Sequence, residues 1–324
     1  MGRNSRRFWK KIIYICNLNL YKEMKKLLIV GTVAFDSIKT PHGEVSRILG
    51  GSGMYIGISS SVFNIDNSIV SVVGEDFPTK YLSTLKNKNI DISGLEIIKG
   101  GKTFFWEGVY HDNMNHRDTI TTELNVLAEF SPLVPESYKN SEIVLLGNLH
   151  PAIQLSVLEQ MNSKPQLVIL DTMNYWMDNT LEELIKVISK VDLLCINDQE
   201  AEQLTGEADL NLAAKKISKL GPKYLIIKKG EFGSILFSEN NYYNTPVYPT
   251  TKVKDPTGAG DTFAGGLTGY LASCKDITFD EVKKGVLYGT ALASFCIEGF
   301  GPNNIMNLDI NLIEERVLKI KSLK

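Results

Sequence analysis

Short apolar runs alternate along the chain with longer segments whose apolar positions recur at the helical period. Leu27–Val33, Ser68–Gly74, Ile143–Asn148, Leu167–Thr172, Leu193–Asn197, Tyr224–Lys229 and Ser234–Phe237 read as strands. Several are apolar at consecutive positions, as strands covered on both faces should be. Between them, Met54–Phe63, Thr79–Lys88, Ile153–Met161, Leu181–Ser189 and Leu212–Leu220 read as helices. The C-terminal part is helix-rich, at about Gly260–Ala272, Asp280–Ile297 and Ile310–Lys321. This alternation predicts an α/β fold, with a mostly parallel central sheet between helical layers.

One region breaks the rhythm. Gly100–Thr122 has strand-like ends around a polar middle rich in His, Asn and Asp, and it reads as a hairpin projecting from the sheet. With Ser37–Ile48 it can form a small β lid over the sheet edge; an ordinary antiparallel edge extension is the plainer alternative. There is no internal repeat or flexible linker, so residues 24–324 read as one domain with lid segments at about 37–48 and 100–122.

Composition narrows the function. The 324 residues are 43% hydrophobic and 22% charged, with a formal net charge of −2 from 35 basic and 37 acidic residues. That balance argues against nucleic acid or a membrane surface as partner, since either would call for a basic patch. The four cysteines, Cys16, Cys195, Cys274 and Cys296, form no C-x-x-C pair and fit a reducing cytoplasm. His42, His111, His116 and His150 make no H-E-x-x-H, which removes a zinc hydrolase.

The chemistry concentrates in Asp255-Pro-Thr-Gly-Ala-Gly-Asp-Thr-Phe-Ala-Gly-Gly266. Pro256 and the glycines make a tight turn, and an amphipathic helix follows. Gly258, Ala259 and Gly260 carry little or no side chain, so their N–H groups can approach an anion closely at a helix N-terminus. Asp261 lies in the first turn beside that place. It can simply cap the helix, or it can take a proton from an attacking hydroxyl while the N–H groups stabilise a transferring phosphoryl group.

The run Gly258-Ala-Gly-Asp-Thr-Phe263 with Asp255 upstream resembles the C-terminal signature of the ribokinase-like carbohydrate kinases, the phosphofructokinase-B sugar kinase family. The resemblance extends over nearly all of residues 27–304. It implies an ATP- and Mg²⁺-dependent phosphotransferase with Asp261 as catalytic base and Gly258–Gly260 as anion hole. Further landmarks follow in family order. Asp36, after the first strand, would hold neighbouring sugar hydroxyls, and Gly50-Gly51 is similar to the family's di-glycine motif, where bare backbone admits a substrate. Asn197-Asp-Gln-Glu200 matches an Asn-x-x-Glu motif, implying roles for Asn197 and Glu200 in holding Mg²⁺ and phosphate through water. A capped helix start is the alternative there. Asn174 resembles a strand-end residue near the nucleotide. Gly230 and Gly233 resemble the glycine hairpin beneath it. By the same resemblance a monovalent cation such as K⁺ can sit near Asp255 and Thr257, and some relatives form a homodimer through the lid.

There are departures. Tyr55 stands where many relatives carry asparagine. Lys228-Lys229 replaces a small or apolar pair; one of these lysines can reach a nucleotide phosphate, or both can be a solvated surface pair. No Lys follows Gly50-Gly51, which weakens a phosphorylated sugar as acceptor, although Arg47, Lys102 or Arg117 can supply that contact. Phe104-Phe105-Trp106 can stack on a sugar or purine, or form a lid core. The acceptor is thus expected to be a small sugar, with a nucleoside such as adenosine as the alternative. A nicotinamide oxidoreductase lacks its G-x-G-x-x-G after Leu27–Gly31, and a P-loop kinase lacks G-x-x-x-x-G-K-[ST]. A catalytically silent binder on the same fold remains a rival, opposed by the complete Asp261 signature.

The first 23 residues differ from the rest, with Arg3, Arg6, Arg7, Lys10 and Lys11 before an apolar run, Ile12–Cys16, too short to span a bilayer. At Met24 the pattern changes to that of a first buried strand. Residues 1–23 are therefore expected to be dispensable. A chain starting at Met24 should fold and turn over like the full one, and loss of either would refute this.

Overall fold

The computed structural model describes residues 24–114, 117–239 and 241–323; the expectation for residues 1–23 lies outside them. Thirteen strands are present among the described residues: β1 (Leu27–Val30), β2 (Ala34–Thr40), β3 (Gly43–Gly50), β4 (Asn67–Gly74), β5 (Ile90–Ile98), β6 (Phe105–Tyr110), β7 (Arg117–Glu123), β8 (Ile143–Leu146), β9 (Leu167–Asp171), β10 (Leu193–Asn197), β11 (Tyr224–Lys228), β12 (Ser234–Ser238) and β13 (Asn241–Thr245). They make a nine-stranded sheet of order β13-β12-β11-β10-β9-β8-β1-β4-β5 and a four-stranded sheet of order β3-β2-β6-β7. Pairing from β11 to β5 is parallel throughout, and β12 and β13 add an antiparallel edge.

The continuous apolar runs have a direct cause. Successive residues of β1 point to opposite faces: Leu27 and Ile29 enter one core, Leu28 and Val30 the other. The same division runs through β8, β9, β10 and β11. Helices Ser52–Ser61, Ala259–Ala272 and Phe279–Cys296 cover the first face with Met54, Tyr55, Ile58, Phe263, Leu267 and Val286. Helices Pro151–Glu159, Leu181–Ile188, Asp198–Thr205 and Leu210–Ser218 cover the second with Val157, Leu184, Ala201 and Ile217. A three-layer α/β sandwich results. Among the described residues no helix is long and apolar enough to cross a membrane.

Strands β5 and β13 were not apparent in the hydrophobic pattern. Both lie at sheet edges, where polar residues interrupt the apolar ones and few positions are fully buried, so neither shows the continuous apolar run of a covered strand. Ser37–Ile48 and Gly100–Thr122 do fall in one small sheet, built from two antiparallel hairpins joined by parallel β2–β6 pairing. Its attachment to the large sheet is a polar joint at Asp76, just past β4. Asp76 Oδ1 accepts from the Thr103 N–H (2.8 Å) and Thr103 Oγ1 (2.6 Å), while Oδ2 accepts from Arg47 (3.3 Å). Thr103 is buried and also receives the Gly74 N–H at 3.0 Å. Arg47 in turn lies over the Phe35 ring, 4.7 Å from its centroid.

Removing a carboxylate that satisfies buried donors costs about 1–3 kcal/mol. Asp76→Ala should lower the urea midpoint by that equivalent, and an unchanged midpoint would show that the joint contributes nothing.

Candidate active site

The turn Asp255–Gly258 is built around a carboxylate with no solvent exposure. Asp255 Oδ1 accepts the Thr257 N–H at 2.8 Å, and Oδ2 accepts the Gly301 N–H at 3.4 Å. Burial raises its pKa, and these hydrogen bonds work in the opposite direction. Gly258 ends the turn at φ 74°, a left-handed conformation that disfavours other residues, and is the N-cap of the Ala259–Ala272 helix. A Cβ there would also meet the Tyr55 ring at 2.4 Å. Tyr55 thus fills the space under the turn, which accounts for the bulky residue at that position.

At the helix N-terminus, the Ala259 N–H donates to the Pro256 carbonyl (3.1 Å) and the Thr262 N–H to the Gly258 carbonyl (2.8 Å). The N–H groups of Gly260 and Asp261 belong to the first turn, which has no carbonyl partners of its own. Asp261 is not the cap residue, since Gly258 is. Burial and then the Asp171 charge push the Asp261 carboxyl up to about 7, against the pull of Lys228 and Arg117.

Asp36 lies in β2 and is 5% exposed, neither a turn nor a helix-cap residue. Burial pushes it up to about 7, and the charges of Asp255 and Asp261 add to the rise; the Gly51 N–H and Arg117 oppose it. Gly50 lies directly against it, because a Cβ at Gly50 would fall 2.0 Å from an Asp36 oxygen. Gly51, at φ 93°, starts the Ser52–Ser61 helix. Asp36, Gly50, Gly51, Asp255 and Asp261 are therefore neighbours where the small sheet meets the C-terminal edge of the large one, the edge at which open α/β sheets place ligands.

A second group borders it. Lys228, at the end of β11, donates to Asp171, at the end of β9, over 3.1 Å. Its Nζ would lie 3.2 Å from a Cβ at Gly260. It is not the solvated lysine that the sequence left open: burial works against its charge, but Asp171 foremost, with Cys195 and Glu200, raises its pKa. Glu200 is 7% exposed and pushed up to about 7 by burial, despite Lys228 and the Asn197 N–H. Asn197 and Glu200 form a capping box: Asn197 Oδ1 accepts the Glu200 N–H (2.7 Å), and the Asn197 N–H donates to Glu200 Oε2 (2.8 Å). The capping alternative is thus realised, and it also fixes the Glu200 carboxylate.

Gly230 and Gly233 make the β11–β12 turn, with the Gly233 N–H donating to the Gly230 carbonyl (3.2 Å) and the Lys229 N–H to that of Gly233 (2.7 Å). Asn174 is exposed, its Oδ1 accepting the Tyr175 N–H at 3.1 Å, and among the described residues it makes no hydrogen bond to the clustered carboxylates. Thr257 Oγ1 donates to Tyr110 Oη (3.1 Å) across from the small sheet. Sequence reasoning missed Tyr110, and nothing local marks it, since its partner is 147 residues away. Among the described residues, no group of three or more His, Cys, Asp or Glu has the arrangement of a metal cage.

A family model for pfkB family carbohydrate kinases matches residues 24–309. The chain belongs to that family. Its similarity to a cytidine kinase from Thermococcus kodakarensis is 28% identity over 254 residues, covering 76% of this chain and 89% of that protein. With a nucleoside kinase from Methanocaldococcus jannaschii it shares 28% over 295 residues, covering 86% and 92%. The solved structure of Arabidopsis thaliana ribokinase, complexed with ribose and ATP, superposes with TM-score 0.73 at 21% identity, over 91% of this chain and 99% of that one. The pfkB kinase fold expected from the sequence is thus the fold observed.

Three carboxyls of this cleft, Asp36, Glu200 and Asp261, have folded-state pKa values raised from the ordinary carboxylate range to about 7. The native state therefore holds more protons than the unfolded one between about pH 4 and 7, so these groups favour folding at low pH and lose that contribution as pH rises. Asp36→Asn keeps the shape but cannot ionise. Its Tm relative to wild type should rise between pH 5 and pH 8; a constant difference would contradict the burial argument.

Proposed function

We propose that this pfkB-family enzyme transfers the γ-phosphoryl group of ATP to a hydroxyl on the ribose-like ring of a small acceptor, a nucleoside ahead of a free sugar. The observation that carries the reaction is a buried Asp36 and a half-buried Asp261, both pushed up to about 7 chiefly by burial, with the Asp261 charge adding to the rise at Asp36. A buried carboxylate facing bare backbone at Gly50 and Gly51 is suited to accept hydrogen bonds from ring hydroxyls. A second one with a pKa near working pH is suited to general-base work. The preference for a nucleoside over the sugar expected from sequence rests on the cytidine and nucleoside kinases among the relatives.

The acceptor hydroxyl gives its proton to Asp261 as its oxygen bonds the γ-phosphorus, and the bond from phosphorus to the bridging oxygen breaks, releasing ADP. N–H groups of Gly258, Gly260 and Asp261 stabilise the charge that develops on the transferring group. The Ala259 N–H, held by Pro256, keeps the turn in shape for them. Lys228 supplies a point charge beside Gly260, balanced by Asp171 until phosphate arrives. Mg²⁺, when bound, neutralises phosphate charge. Glu200 and Asp171 fit it as outer-shell partners, because Mg²⁺ keeps several waters and needs no protein cage. Asn197 holds Glu200 for that role, and the Gly230–Gly233 turn leaves open backbone for the nucleotide. Buried thiols at Cys195 and Cys296 accord with work in the cytoplasm.

Mg²⁺-ATP consumption measured against a panel of nucleosides and sugars tests the reading. Asp261→Asn should lower turnover by ~10²–10⁴ with ATP binding largely intact, the magnitude of a lost general base. A variant as fast as wild type would sink the assignment.

A further inference from the structure

Resting on the phosphotransferase reading above, we infer that Arg117 is a catalytic residue delivered by the small sheet, binding the phosphoryl group while it passes from donor to acceptor. Its location follows from pairing. Arg117 opens β7 and lies directly opposite Tyr110 of β6 in the antiparallel ladder. Tyr110 Oη accepts from Thr257 Oγ1 at 3.1 Å, and the Arg117 charge acts on that phenol. Arg117 thus stands in register beside the tyrosine that bridges to the turn leading into Asp261.

Charge gives the same position from another direction. Arg117 acts on Asp36, on Asp261 and on Glu200, three carboxyls on three different elements. Lys228 acts on Glu200 and Asp261 and is engaged with Asp171 on the donor side. An exposed cation on the small sheet whose charge reaches Asp36, Asp261 and Glu200 together is suited to meet a phosphoryl group passing among them. Among the described residues no carboxylate lies within ion-pairing distance of Arg117. Its guanidinium instead lies over the Trp106 ring, 5.6 Å from the centroid, which supports the side chain without neutralising it.

The chemistry requires such a group. Several carboxylates face this cleft, and the donor phosphates add more negative charge. A planar fork of N–H donors matches two phosphoryl oxygens at once, which a lysine cannot do. In the transfer step Arg117 neither gains nor loses a proton. The acceptor proton goes to Asp261, the new O–P bond replaces the bond to the bridging oxygen, and ADP carries that electron pair away. The guanidinium bonds only the non-bridging oxygens.

The test uses the full chain with Arg117→Gln and Arg117→Lys. Arg117→Gln should lower kcat by ~10²–10³, the loss seen when one donor to a transition-state oxyanion is removed, leaving acceptor KM and Mg²⁺-ADP affinity unchanged. Arg117→Lys should recover part of that loss. Calorimetry gives a readout without turnover: with acceptor present, aluminium fluoride should tighten Mg²⁺-ADP binding to wild type and not to Arg117→Gln. Unchanged kcat in Arg117→Gln overturns the inference, as does a raised acceptor KM at wild-type kcat, which would mean that Arg117 holds an anionic group of the acceptor. Wild type lacking acceptor-dependent turnover on every nucleoside and sugar would overturn the phosphotransferase reading first, and this inference with it.

Discussion

Asp255 has no contact with solvent, and a carboxylate in that position is tolerated only where donors reach it. The Thr257 and Gly301 N–H groups do so. They bind the turn before the Ala259–Ala272 helix to the loop after the Phe279–Cys296 helix, so the two helices meet the cleft in a set relation. The other features follow from that turn. Gly258 can approach Tyr55 only because it lacks a Cβ, and the helix can begin where it does only because Gly258 accepts a left-handed backbone. Asp261 then falls in the first turn, where its half-buried carboxylate feels the Lys228 charge and adds to the rise of the Asp36 pKa.

Burial and charge act against each other throughout this cleft. Asp36, Glu200 and Asp261 are all driven toward the neutral form by loss of water, and all are pulled back by a small number of cations and N–H groups. Such opposition keeps proton affinity near neutrality and leaves the site sensitive to an arriving charge. The small sheet participates in the same balance, through Tyr110 on Thr257 and through the Arg117 charge, and its own attachment depends on the polar joint at Asp76.

Much of this was legible in the residues. The central strands announced themselves because burial on both faces forbids polar positions, so β1, β8, β9, β10 and β11 appear as unbroken apolar runs. Edge strands β5 and β13 did not, because positions that meet water there carry polar residues such as Asp91, Glu96 and Asn241 and break up the apolar run. In the site, Asp261 and its glycines stood out because a bare-backbone turn at a helix start constrains consecutive residues, and such constraints are local. Asn197 and Glu200 were legible in both senses at once, and the capping box realises the structural one.

The sequence by itself determined the α/β class, the helix that begins at the glycine turn, and which carboxylates stand at strand ends. These depend on side-chain periodicity and backbone freedom, properties of neighbouring residues. Tertiary structure alone decided that Lys228 pairs with Asp171, that Tyr55 packs under Gly258, and that Tyr110 reaches the turn from a separate sheet. Each of those joins segments far apart in the chain, and their electrostatic effect depends on distance and burial. Neither quantity exists until the layers have packed.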